Sequence, residues 1–267
     1  MDLEGVKKNQ QTVWSTGDFS RIGALNTIVS EGLCEDMGLL GGRSLLDVAA
    51  GSGSLSLAAA RRFLRVTCTD YVPALLEQAR RRAEVDFLEM EFAQADAENL
   101  PFPDGSFDYV GSQYGAMFAP DQERTAGELM RVVRPGGVLG MANWTPSGLA
   151  GQLFALGARY APPPPGLRPA TDWGTGRRIG ELLGPHAANI RVVDRSFRQK
   201  FPTFESFLDI FTTWFGPMVS LKARLEPEQW NAYVSDLRDL VDSINLATDG
   251  SVDMPGNYLN VIAVKRG

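Results

Sequence analysis

Leu45-Leu46-Asp47-Val48-Ala49-Ala50-Gly51-Ser52-Gly53-Ser54 reads as strand, turn and helix in immediate succession. The apolar run Arg43–Ala49 has the character of a buried strand. The run Ser54–Arg62, rich in alanine and leucine, has that of a helix. Glycines at 51 and 53 let the backbone of the turn approach a ligand closely, and the free N–H groups of the helix start face that ligand. Dinucleotide-binding turns share this plan, but their fingerprint carries a third glycine where this chain has Ser56. Asp47 stands beside the turn, where a carboxylate would repel a pyrophosphate and suit an ammonium group.

Outward from this turn, residues 43–145 alternate short apolar runs with helical patterns, the mark of βαβ units and a parallel sheet. Arg65–Thr69 is expected as a second strand, Leu88–Gln94 as a third, Phe107–Ser112 as a fourth and Val138–Trp144 as a fifth. Pro73 suits a first helical turn and opens a helix to about Ala83. Gln122–Val133 is a helix stopped by Pro135-Gly136-Gly137. The stretch Pro146–Asp172 carries Pro162-Pro163-Pro164-Pro165 and is read as a stiff loop. Beyond it come a helix at Thr175–Leu183, a strand at Ile190–Gln199, amphipathic helices at Thr203–Phe215 and Pro227–Asn245, and a last strand at Tyr258–Val264. The expected fold is α/β: a Rossmann-like, doubly wound sheet with a helical cap inserted before the last strand. Residues 1–40 form an N-terminal helical lid segment, 41–200 with 256–267 the ligand-binding domain, and 201–255 the insertion over the substrate pocket.

The chain has 267 residues, with 26 Lys and Arg against 32 Asp and Glu, a net charge of -6. That sign disfavours a protein that tracks phosphate backbones, and no nucleic-acid partner is expected. The clusters Arg61-Arg62 with Arg65, and Arg80-Arg81-Arg82, fall near helix ends and read as solvated faces. Cys34 and Cys68 are too few for a disulfide framework or a zinc site, and no metal is expected. No apolar run approaches the ~20 residues that span a bilayer. The start Met1-Asp2-Leu3-Glu4 lacks the pattern of a signal peptide, so a cytoplasmic location without membrane contact is expected.

Two further acids complete the pattern. Asp70 closes the second strand, where its side chain can accept bonds from both hydroxyls of a ribose, or else cap the helix that follows. Asp96, after the third strand, can accept from an adenine amino group or cap a short turn. With these residues in place, DVAAGSG at 47–53, Asp70, ADAENLPFPDGSFDYV at 95–110 and ELMRVVRPGGVLGMANW at 128–144 resemble the class I S-adenosylmethionine methyltransferases. The resemblance is to the small-molecule branch that includes the ubiquinone and menaquinone biosynthesis enzymes. It covers 43–145, weakens over 1–40 and nearly vanishes after 146.

That resemblance implies seven strands with the last antiparallel, and S-adenosylmethionine bound over the ends of strands one and four. By position it assigns Asp47, Ala49, Gly51, Ser52 and Gly53 to the methionine end. Asp70 and Tyr71 go to the ribose, Asp96 and Ala97 to the adenine. Ser112, Gln113 and Tyr114 fall to the amino group and reacting centre. Trp14 and Gly17 belong to an N-terminal segment that folds over the cofactor in similar enzymes. One departure is the short segment Arg61–Val66, which lacks the usual glycine and implies a tighter turn.

For the acceptor, Tyr114 and Asn143 are the candidate catalytic residues. Phe19, Met117, Phe118, Trp144 and Phe211 are candidates for the substrate pocket, with ordinary core packing as the rival reading for the apolar ones. Asn143 and Trp144 are expected on the same side. The stripe Phe204, Phe207, Leu208, Phe211, Trp214 and Phe215 reads chiefly as a packing face that can also roof a pocket. His186, the single histidine, sits in a turn and reads as solvated. The function expected is methyl transfer to a small apolar or aromatic acceptor by in-line displacement. A non-catalytic S-adenosylmethionine-binding module and a nicotinamide-dependent oxidoreductase are the alternatives.

Overall fold

Leu45 and Leu46 are adjacent on one strand and both are fully buried, so the sheet that contains them is covered on both faces. The computed structural model describes residues 2–267. Its sheet has seven strands: β1 (Ser44–Val48), β2 (Arg65–Asp70), β3 (Glu91–Gln94), β4 (Phe107–Gln113), β5 (Val133–Trp144), β6 (Ala187–Phe201) and β7 (Val252–Lys265). Their order is β3-β2-β1-β4-β5-β7-β6. Strands β1 to β5 pair in parallel, and β7 runs antiparallel to both neighbours. The fold is the Rossmann-like arrangement expected, with the switch in strand order falling between β1 and β4.

Helices α1 (Leu3–Trp14), α2 (Phe19–Ala24) and α3 (Thr27–Met37) precede the sheet. The crossovers are α4 (Ser54–Ala60), α5 (Pro73–Val85) and α6 (Gln122–Val132). Local chemistry sets their ends: Pro73 opens α5, and the Asp121 carboxylate caps α6 by accepting the Arg124 N–H at 2.9 Å. The short link before β2 is tight, as expected. Phe63 turns through φ 60°, and its carbonyl accepts the Gly42 N–H at 2.8 Å.

After β5 come α7 (Leu149–Tyr160) and α8 (Gly176–Leu183), and between β6 and β7 lie α9 (Phe204–Trp214), α10 (Gly216–Arg224) and α11 (Pro227–Ile244). Helix α7 corrects the reading of Pro146–Asp172 as a loop. The four prolines lie beyond Tyr160 and end the helix, while Leu149, Leu153, Leu156 and Tyr160 recur at helical spacing before them. Helix α10 was also missed, because Gly216 and Pro217 mask its start. Strands β6 and β7 run longer than expected, forming an antiparallel two-stranded ribbon that extends past the sheet to Phe201 and Val252.

Two large apolar clusters result. The first fills both sides of the sheet, around Leu45, Leu46, Val110, Leu129 and Leu139. The second gathers Phe201, Phe204, Phe207, Phe211, Tyr233, Leu237 and Val241 with Leu149 and Leu156 of α7. The cap is therefore built from the insertion together with a helix that precedes it by about forty residues in the chain.

Candidate active site

The carboxyl ends of parallel strands leave a crevice where the strand order reverses, and helix N-termini point into it. A cavity occupies that place. It is lined by Asp47 and Ala49 to Ser52 at the end of β1, Asp70 and Tyr71 at the end of β2, Ala95 to Ala97 after β3, Gln113 to Gly115 at the end of β4 and Trp144 at the end of β5. Two of its walls are strained. Ala49 and Tyr114 hold φ of 53° and 58°, in the left-handed region that L side chains rarely adopt.

The glycine turn is positioned by packing. Gly53 has φ 77°, and a β-carbon there would stand 2.9 Å from that of Ala79 on α5. It thus fixes how α4 seats and does not itself line the cavity. The arginine triplet read as a solvated face takes part: the Arg82 guanidinium donates to the Ser52 carbonyl at 2.7 Å and to the Ser52 and Ser54 hydroxyls. Arg61 and Arg62 likewise bind Glu31 of α3 at 2.6 Å.

Asp47 is buried, and its Oδ2 accepts from the Ser56 N–H and hydroxyl at 2.9 and 2.7 Å, while Oδ1 has no partner. Burial pushes its pKa up to about 7 against the Ser56 hydrogen bonds, and the neighbouring Asp70 charge adds to the rise. Asp70 accepts the Gly51 and Val72 N–H groups, each at 2.9 Å, and burial raises its pKa to about 6. A carboxylate has about four acceptor sites, so Asp70 keeps capacity for further hydroxyl donors. Asp96 is more committed: it takes Lys7 from α1 at 2.6 Å and the Glu98 N–H at 2.9 Å. Burial works against the Lys7 charge, but its bonds to Asp96 and Glu98 outweigh this and hold its pKa high.

Several expected site residues stand elsewhere. Asn143 does not line the cavity, because side chains alternate along a strand and Trp144 takes the cavity side. Ser112 is fully buried, its hydroxyl donating to the Val48 carbonyl and accepting the Ala116 N–H. Met117 packs in the core, and Gly17 presses against the Trp214 backbone. His186 is exposed, as expected of a turn histidine.

Trp14, Phe19, Phe118 and Phe211 do line the cavity, as does Phe215 from the stripe expected to roof a pocket, together with Leu153 and Phe154, which the sequence reading passed over as acceptor-side residues. Tyr114 lies flat on Trp144, ring centroids 3.6 Å apart. Its hydroxyl is buried without a partner, and burial raises its pKa well above the ordinary phenol value. Over the opening, α1 has no fully buried residue and is held by polar ties, Lys7 to Asp96, Gln10 to the Phe118 carbonyl at 3.0 Å and Gln11 to the Tyr71 carbonyl at 3.1 Å. Trp14 closes the gap to the cap, 5.1 Å from Phe118 and 6.2 Å from Phe215 between centroids.

Residues 46–141 match the model of the family described as "Methyltransferase domain". An uncharacterized protein of Mycobacterium tuberculosis H37Rv is 34% identical over 261 residues, 96% of this chain and 94% of that one. A demethylmenaquinone methyltransferase of Thermus thermophilus is 42% identical over 106 residues, 39% of this chain and 48% of its own. The chain belongs to the class I S-adenosylmethionine-dependent methyltransferases. In three dimensions the methyltransferase is similar to the YcgJ protein of Bacillus subtilis, with a TM-score of 0.61 at 20% identity over 89% of this chain and 98% of that one.

The cofactor of this family is S-adenosylmethionine, and the cavity suits it. The unpartnered Oδ1 of Asp47 offers a buried acceptor for an ammonium, and Asp70 retains acceptor sites for ribose hydroxyls. The missing third glycine, which counted against a nicotinamide cofactor, agrees with this. Among the described residues no helix is long and apolar enough to cross a membrane.

Proposed function

We propose that this methyltransferase transfers the methyl group to a small acceptor with an apolar or aromatic body, by in-line displacement at the methyl carbon. The observation that carries the reading is the apolar part of the cavity lining. There Trp144 and Tyr114 form a flat stack, and Leu149, Leu153, Phe154, Phe211 and Phe215 supply the rest of an apolar lining. The relative from Thermus thermophilus matches over 106 residues, 39% of this chain, so it supports the transfer and not the choice of acceptor.

When bound, S-adenosylmethionine supplies a methyl group already activated by its sulfonium. In this reading Asp47 holds the ammonium, Asp70 the ribose hydroxyls, and Tyr71 with Ala97 flanks the base. Tyr114 and Trp144 present a planar face to the acceptor. Residues 1–40 serve as a lid and α9 to α11, with α7, as a cap, which together exclude water from the reacting centre. Fixing the reactants in line is worth ~7–11 kcal/mol of barrier, so an elaborate set of acids and bases is not required. Tyr114 keeps its proton at neutral pH and serves as a hydrogen-bond donor, so the acceptor must be nucleophilic without a strong protein base. S-adenosylhomocysteine release should follow addition of hydroxylated or amino aromatics from a small-molecule panel. Turnover on a protein or polynucleotide, with none on the panel, overturns the reading.

A further inference from the structure

Along the inward face of β6 the side chains run Phe197, Gln199, Phe201, all buried. Phe197 belongs to the core of the sheet, with its ring 6.2 Å from Trp144, and Phe201 belongs to the cap, 6.2 Å from Phe211. Gln199 stands at the seam between the two clusters, where the cavity opens, and is 9% exposed. A glutamine between two phenylalanines on this strand face interrupts a packing pattern that an aliphatic residue would complete.

Its amide is half used. A chain of amides begins at Gln113, whose Oε1 accepts the Ser30 hydroxyl at 2.5 Å and whose Nε2 donates to the Asn26 carbonyl at 3.3 Å. Gln199 Nε2 in turn donates to Asn26 Oδ1, at 3.5 Å. That tie uses one N–H of the amide and orients it, and leaves Oε1, which is buried and has no partner. Asn26 lines the same cavity. A buried acceptor without a donor is costly, and native proteins keep such groups where something else fills the place.

We propose that Gln199 is the polar specificity residue of the acceptor pocket, with its Oε1 accepting a hydrogen bond from an O–H or N–H on an otherwise apolar acceptor. This rests on the apolar acceptor pocket proposed above. The substrate class follows from the sign of the contact. An acceptor-only atom favours a phenol, hydroquinone or aryl amine and disfavours the matching ether, quinone or plain hydrocarbon, which leave Oε1 unpaired.

The test compares three probes of one shape, 2-naphthol, 2-methoxynaphthalene and naphthalene, by equilibrium dialysis against protein saturated with S-adenosylhomocysteine. The wild type should prefer 2-naphthol by about three- to tenfold, the factor expected of one neutral hydrogen bond. Gln199→Met, close in volume, should lose that preference, bind naphthalene at least as well, and keep its S-adenosylhomocysteine affinity. Its melting temperature should hold or rise, since it removes an unpaired buried oxygen, whereas a merely structural glutamine would lower it. Equal binding of the three probes by the wild type overturns the role of Gln199 and leaves the apolar pocket standing. Retention of the preference in Gln199→Met does the same. If none of the probes binds the wild type, the apolar pocket itself falls, and the proposal with it.

Discussion

Asp47 and Asp70 share one buried corner and both hold their protons more tightly than ordinary carboxyls do. Their folded pKa values of about 7 and about 6 lie above the usual 3.8, so their contribution to apo stability is present in acid and is lost as pH rises from about 4 to about 7. A bound ammonium and ribose favour the ionised forms and reverse this. S-adenosylhomocysteine affinity should therefore strengthen by up to about tenfold per pH unit where Asp47 titrates, with proton release on binding. Calorimetry at pH 5.5, 6.5 and 7.5 in buffers of different ionisation heat reads both effects, and Asp47→Asn should flatten the profile. Asp70→Ala should weaken S-adenosylhomocysteine binding at least tenfold with the fold intact, from loss of charged hydrogen bonds worth ~1.5–3 kcal/mol each. Unchanged affinity would remove Asp70 from the site. The placement of these acids at the cavity was legible in the sequence because each stands at a strand end beside a glycine turn or helix start. Asn143 was misread because adjacent strand residues face opposite ways, and only the register shows which faces the cavity.

The N-terminal element hangs on polar ties, since α1 buries no residue fully. It should open more readily than any crossover helix, whose apolar face is locked into the sheet. S-adenosylhomocysteine should slow proteolysis within residues 1–25, and Lys7→Ala should speed it by releasing Asp96 and Glu98. Equal cleavage rates with and without ligand would exclude the lid. The junction to the cap passes through Gly17, at φ 79°, where an alanine β-carbon would lie 2.5 Å from the Trp214 carbonyl oxygen. Gly17→Ala should therefore loosen the contacts of α1 with α10 and of α2 with α9 and raise the cleavage rate, while global melting moves little. The aromatic character of Trp14 and Phe19 was evident along the chain. Their partners Phe118 and Phe215 lie about one hundred and two hundred residues away, and no local pattern joins them.

At the scale of the molecule, two apolar clusters meet along β6, one under the cofactor loops and one in the cap. Phe207→Ala empties the centre of the second and should cost about 3–5 kcal/mol of stability, read by chemical denaturation. Acceptor turnover should fall while S-adenosylhomocysteine affinity stays near wild type, because none of the residues contacting the cofactor loops is changed. Parallel loss of both functions would show that cap and sheet are one energetic unit. By itself the sequence determined the doubly wound sheet, the glycine turn at its first strand and the acids around it, since strand alternation, helix starts and glycine turns are short-range and leave a local mark. The tertiary structure alone decided that α7 joins the cap, that Arg82 braces the glycine turn, that Lys7 reaches Asp96 and that Gln199 stands at the seam of the two clusters. Each of these is a meeting of residues distant in sequence, and which side chains meet is set by register and packing.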